Sequence, residues 1–227
     1  MLTVPGLCWL CRMPLAQPRS GICSVCCRAV RFTQTLCPQC GLPAASTTLP
    51  CGRCLQKPPL WQRLVAASAY APPLSSLIHQ LKFSRRPELA AALARLQLLA
   101  ILNARRTTGL PLPDSIVSVP LYARRQWQRG FNQSELLARP LARWLGCRYA
   151  SETLSRIRPA QTQHFLSARR RKSNLKNAFR LELPPDGLHI AIVDDVVTTG
   201  STVAEITRLL LQGGAATVQV WCLCRTL

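Results

Sequence analysis

From Trp61 onward, the hydrophobic positions switch repeatedly between short apolar runs and stretches with helical spacing. Trp61 to Tyr70 reads as a strand. Leu74 to Phe83 carries apolar residues at 74, 77, 78 and 81, one helical face, with Lys82 turned off it. Pro87 to Leu102 is rich in alanine and leucine and predicts a helix, with Pro87 placed at its first position. Ser115 to Pro120 is a short strand, and Ser134 to Leu145 a helix with Glu135 in its first turn. Cys147 to Arg156 predicts a further strand. Phe179 to Leu183 and Leu188 to Val193 are two more, bracketing a Pro184-Pro185-Asp186-Gly187 turn. Ser201 to Gln212 has helical periodicity and is stopped by Gly213-Gly214. Thr217 to Cys224 closes the chain as a strand on which Cys222 and Cys224, two apart, point the same way. Strands alternating with helices predict an α/β fold with a parallel sheet.

The apolar run His189 to Val193 has the β-branched content of a buried strand, yet Asp194 and Asp195 follow at once. Then come Thr198, Thr199, Gly200, Ser201 and Thr202, a hydroxyl-rich turn leading into a helix. Such a turn aims backbone N–H groups at one spot, and the helix dipole favours an anion there. Gly200 permits close backbone approach. The two aspartates are acceptors and suit paired hydroxyl donors, such as a ribose 2′- and 3′-OH. The order of elements predicts a sugar-phosphate site. It is neither a Walker loop nor a dinucleotide fingerprint, because the required lysine and glycine spacings are missing.

Two basic segments flank it. Leu121 to Gln133 reads as a loop that includes Tyr122, Arg124, Arg125, Arg129 and Gly130, suited to a pyrophosphate. The interleaved Tyr122, Trp127 and Phe131 also suit base stacking against single-stranded nucleic acid. Arg158 to Phe179 is a polar, basic stretch without periodicity, expected to be a lid or binding segment. It holds Gln163, His164, Arg169, Arg170, Arg171, Lys172, Asn174 and Lys176.

Charge sharpens this picture. The chain of 227 residues has 29 Lys and Arg against 9 Asp and Glu, a formal net charge of +20. Polyanionic partners are implied: nucleic acid, phosphorylated ligands, or both. Residues 122–180 hold 14 basic residues and only Glu135 and Glu152 as acids. No apolar run reaches the length of a membrane span, and cysteines occupy the place of a signal-peptide core, so a cytoplasmic location is expected.

Nine of the twelve cysteines lie in the first 54 residues. They form the turns Cys8-x-x-Cys11, Cys23-x-x-Cys26, Cys37-x-x-Cys40 and Cys51-x-x-Cys54, with Cys27 left over. This spacing predicts metal rather than disulfides, as two four-thiolate zinc sites in a double zinc-ribbon module over residues 1–60. Sequential pairing of the turns gives two similar tandem units. Interleaved pairing, or Cys27 in place of Cys26, remains open from spacing alone. Four thiolates and one zinc ion carry a formal charge of about −2, so two sites would take the chain from +20 to about +16. Lys57-Pro58-Pro59 reads as a linker to a second domain over residues 61–227.

The acidic-Thr/Gly turn resembles the ribose-phosphate signature of type I phosphoribosyltransferases. With the four cysteine turns, Leu81-Lys82-Phe83, Val119-Pro120-Leu121, Arg129 to Gln133, Gln163 to Asn174 and Val193 to Thr202, the whole chain resembles the ComF/GntX family. The resemblance implies a type I phosphoribosyltransferase-like parallel sheet from about residue 65. It implies Asp194 and Asp195 on the ribose hydroxyls, residues 198–202 around the 5-phosphate, and Leu121 to Arg125 with Arg129 on pyrophosphate bridged by Mg²⁺. It implies a lid over 161–176, a ligand like phosphoribosyl pyrophosphate, and a part in DNA uptake or use, with single-stranded DNA and DNA-uptake proteins as partners. A weaker association is with gluconate use. Turnover of an acceptor by a Mg²⁺-dependent transferase is the competing expectation.

Overall fold

The structure is a computed structural model and describes residues 6–158 and 177–227. Its centre is a parallel sheet of five strands in the order β1-β7-β6-β2-β3: β1 (Arg63–Ala69), β2 (Ser115–Ser118), β3 (Arg148–Tyr149), β6 (His189–Val197) and β7 (Thr217–Arg225). A separate antiparallel pair joins β4 (Leu154–Arg156) to β5 (Phe179–Leu181). The long central strands β6 and β7 are buried almost throughout, as sheets covered on both faces must be.

One face packs against α3 (Leu74–Phe83), α4 (Leu89–Thr108) and α6 (Gln133–Leu145). Its core includes Leu81, Leu93, Leu137, Val193 and Trp221. The other face packs against α7 (Ser201–Gln212) and the β4–β5 pair, around Ile192, Val203, Ile206, Phe179 and Val220. The apolar spacing of 74, 77, 78 and 81 does bury that stripe of α3.

Several boundaries differ from the sequence reading, each for a local reason. α4 begins at Leu89 rather than Pro87 and runs on to Thr108, where Gly109 adopts the left-handed conformation (φ 62°) and ends it. The segment Cys147 to Arg156 is two strands in two sheets, because the chain leaves β3 after two residues and turns at 151–153. The stretch read as a basic loop contains a helix, α5 (Ala123–Arg129), capped by left-handed Gly130 (φ 84°). β6 continues past Val193 to Val197, so the acidic pair lies within the strand rather than beyond it. Cys222 and Cys224 enter opposite cores: Leu223 and Cys224 both pack on the α3 face, breaking strict alternation, while Cys222 faces α7.

The cysteine-rich segment forms two similar units, each with a short helix: α1 (Ser24–Ala29) in the first and α2 (Gly52–Gln56) in the second. The first lies against α4. Cys8, Leu15, Ile22 and Val30 belong to the same apolar cluster as α3, α4 and α6. A Cβ on Gly21 would come 2.4 Å from that of Ala92, so glycine is what lets the two pieces touch. The second unit lies against β1 and the end of β7. Leu64 N–H donates to Pro38 O at 2.9 Å.

Candidate functional site

β2 ends opposite Val193 of β6, so the last residues of β6 and the segment leaving β2 build the site. Asp194 and Asp195 are both buried. Ser134 Oγ donates to Asp194 Oδ1 at 3.0 Å, and the Asp195 N–H donates to the same oxygen at 2.9 Å. Lys82 Nζ stands 2.6 Å from Asp195 Oδ2. Burial first, and then the charge of Asp195, push the Asp194 carboxyl up to about 7, although Lys82 and the two hydrogen bonds oppose them.

Ser134 reaches Asp194 because Asn132 anchors the start of α6. Asn132 Nδ2 donates to Val119 O at 3.0 Å, and its Oδ1 accepts from the Ser134 N–H at 3.1 Å. α5 carries Arg124, Arg125 and Arg129 and is preceded by Leu121 and Tyr122. Arg129 Nη1 donates to Gln133 Oε1 at 2.5 Å, and its guanidinium stacks on Phe83 at 5.5 Å. Burial lowers the Arg129 pKa, against the raising field of Asp195. Arg156, at the end of β4, has its pKa lowered by burial and then by Arg125, with Asp194 opposing. The acidic pair therefore faces cations from α3, α5 and β4.

After Val197 the chain turns through Thr198, Thr199 and Gly200 into α7. Gly200 is the N-cap in the left-handed region (φ 79°), and a Cβ there would approach the Trp61 ring at 3.1 Å. Thr199 Oγ1 and Ser201 Oγ lie 2.8 Å apart. The first helical bond runs from Ala204 N–H to Gly200 O, so the preceding N–H groups lie outside the helix's own ladder, and that of Ser201 donates to Thr199 Oγ1 at 3.4 Å.

The structure thus brings the predicted Asp194, Asp195 and 198–202 turn together, with Arg125 and Arg129 nearby, while Arg124 is exposed on α5. Gln163, Arg169, Arg170, Arg171, Lys172, Asn174 and Lys176 lie outside the described residues. Lys82, Ser134, Asn132 and Arg156 were not read as site residues from sequence. The available signal was Lys82 itself: it sits off the apolar face of α3, and two buried carboxylates need a counter-cation.

The cysteines collect as Cys8, Cys11, Cys23, Cys26 and as Cys37, Cys40, Cys51, Cys54, each group with its sulfurs within 4.8 Å of one another. The pairing is sequential, and Cys26 rather than Cys27 completes the first group; the Cys27 thiol points to Ile22 O at 3.7 Å. Burial opposes ionisation of Cys8, but backbone N–H groups of Cys11, Cys23 and Leu10 outweigh it and hold the thiol at about 6. Cys37 is likewise held at about 7. Burial and then the neighbouring thiols push Cys26 and Cys54 up. Each quartet thus sets a readily ionised thiol, Cys8 or Cys37, beside one that burial holds protonated, Cys26 or Cys54, and a divalent cation among the sulfurs would favour the thiolates. The donor sets fit two structural zinc ions with no open ligand position.

A family model described as a phosphoribosyl transferase domain matches residues 132–227. The chain is 74% identical over its full length, and the relative's, to the DNA utilization protein YhgH of Salmonella typhi. It is 41% identical to competence protein F of Haemophilus influenzae over 96% of both chains. The chain belongs to the ComF family. Competence protein ComFC of Bacillus subtilis is a more distant ComF relative, 26% identical over 93% of this chain and 87% of that one. The ComF match spans the cysteine units as well as the sheet, so both are part of the family's shared chain.

Proposed function

We propose that this ComF protein binds a sugar phosphate of the phosphoribosyl pyrophosphate type and acts in the uptake, processing or utilization of extracellular DNA. The observation that carries the ligand reading is the contiguity of a buried acidic pair on β6 with an uncapped, glycine-led helix start at Gly200. Asp194 and Asp195 accept the ribose hydroxyls, and the 198–202 turn takes the 5-phosphate. Arg125 and Arg129, beside Leu121 and Tyr122, take the pyrophosphate, whose oxygens and waters hold Mg²⁺. The names of the relatives, DNA utilization protein and competence protein F, support the biological reading.

The formal charge of +20 and the exposed Trp127 on basic α5 support contact with single-stranded DNA. Reduced four-thiol metal sites suit the cytoplasm. Among the described residues, no helix is long and apolar enough to cross a membrane. A second reading, transfer of the ribosyl group to an acceptor, is favoured by the fixed carboxylates beside the sugar position, which would stabilise an oxocarbenium-like transition state.

Two measurements test this. Calorimetry with phosphoribosyl pyrophosphate and Mg²⁺ should show binding that Asp194→Asn with Asp195→Asn abolishes; intact binding in that variant sinks the site assignment. Single-strand affinity should fall steeply with salt, and a flat dependence rules out the electrostatic contact. Pyrophosphate release with candidate acceptors separates the transferase reading from binding alone.

A further inference from the structure

The second cysteine unit touches the phosphate turn through two side chains. Three successive carbonyls of its knuckle face the sheet. Pro38 O accepts from Leu64 N–H at 2.9 Å, Gln39 O from Trp61 Nε1 at 2.6 Å, and Cys40 O from Arg225 Nε at 2.9 Å. Gly41 lets the knuckle come this close, since a Cβ there would lie 2.5 Å from Leu64. Trp61 and Arg225 then continue to the other side. The Trp61 ring lies beneath Gly200. Arg225 Nη1 donates to Val197 O at 3.0 Å and also to Thr198 O.

Arg225 is buried at the end of β7, and its described bonds go to backbone carbonyls. A planar trans peptide points its N–H opposite its C=O. By taking the carbonyls of Val197 and Thr198, the guanidinium turns the N–H groups of Thr198 and Thr199 away from itself. The knuckle in turn holds the guanidinium through Cys40 O, and Cys40 with Cys37 belongs to the second quartet.

We propose that Arg225 and Trp61 are positioning residues that couple metal occupancy of Cys37, Cys40, Cys51 and Cys54 to the shape of the phosphate turn. Zinc there fixes the knuckle carbonyls, the carbonyls fix Trp61 and Arg225, and these set the donors from Thr198 to Gly200. Loss of that ion therefore weakens phosphate binding without touching a ligand-contacting side chain. Among the described residues the first quartet has no such route: its unit is tethered to α4, where Arg95 donates to Arg19 O. The proposal rests on the sugar-phosphate reading of residues 198–202.

The test uses the full chain loaded with zinc, ribose 5-phosphate as probe, and amide exchange at residues 198–203 as a readout independent of any ligand. Arg225→Met should keep two zinc ions, speed exchange at 198–203 and weaken ribose 5-phosphate by about tenfold or more. Arg225→Lys should recover part of both. Cys51→Ser should lower zinc to one ion and produce the same two changes. Arg95→Met should produce neither. Unchanged exchange at 198–203 in both Arg225→Met and Cys51→Ser overturns the coupling. Wild-type protein that does not bind ribose 5-phosphate, with the exchange response present, sinks the ligand reading and leaves the coupling standing. If Cys51→Ser fails to fold, the graded pair Arg225→Met and Arg225→Lys decides.

Discussion

Lys82 Nζ on α3 stands 2.6 Å from Asp195 Oδ2 on β6, and both side chains are largely removed from solvent. The pair bridges a helix and the central strand at the point where two carboxylates adjoin. Attraction between buried charges offsets their desolvation only while both are present. Lys82→Met therefore leaves Asp195 unpaired and should destabilise the fold by about 3–5 kcal/mol in denaturant titration. Lys82→Met combined with Asp195→Asn should recover much of that loss. Equal destabilisation in the single and double variants would show that the lysine matters only for packing.

Asp194 gives a pH signature. Its folded carboxyl lies at about 7 against an ordinary 3.8, so the native state holds a proton that the unfolded chain releases. Stability should therefore fall as pH rises from about 4 to about 7, by at most about 4 kcal/mol from this group. Asp194→Asn keeps an acceptor for Ser134 and removes the titration. Relative to wild type, it should be more stable at pH 8 and nearly equal near pH 4. Denaturation curves at the two pH values check this, and a gain of the same size at both would contradict it.

Gly200→Ala places a methyl group 3.1 Å from the Trp61 ring at a φ of 79°. The left-handed backbone alone costs about 1–2 kcal/mol for a residue with a Cβ. Thermal unfolding should register that loss, and calorimetry should show weaker sugar-phosphate binding. Gly146→Ala, also left-handed (φ 69°) but with open space around it, should lose stability without losing affinity.

Chelation should release two zinc ions per chain, because each quartet brings four sulfurs within 4.8 Å of one another. A unit of this size has too little apolar interior to hold itself. Hydrogen exchange should rise across residues 7–56 once the metal is gone. Protection that persists in the stripped protein would mean that packing against α4 and β1 suffices.

Periodicity located the sheet and its helices well, because buried strands and the stripes of α3 and α7 have strong spacing signals. It missed α5, since Ala-Arg-Arg-Gln-Trp-Gln-Arg has no apolar face and forms a helix by position between two anchored ends. It also stopped β6 too early, treating charge as the end of a strand. Asp194 and Asp195 stay in the sheet because Ser134 and Lys82, about 60 and 113 positions away in sequence, supply their partners. Such long-range partners leave no local trace. The cysteine quartets were legible from spacing, but their pairing was not, because tandem and interleaved threading share one sequence.

The β4–β5 pair has a consequence for how this chain tolerates change. Leu154 sits opposite Leu181 and Arg156 opposite Phe179, so the chain departs and returns at neighbouring points. Whatever is spliced between them starts and ends at a stem the body already holds closed. Lengthening a closed segment costs little, about 0.6 kcal/mol per doubling. That makes the stem a natural grafting point: a reporter peptide could be exchanged there while the sheet, the acidic pair and the metal units keep their register.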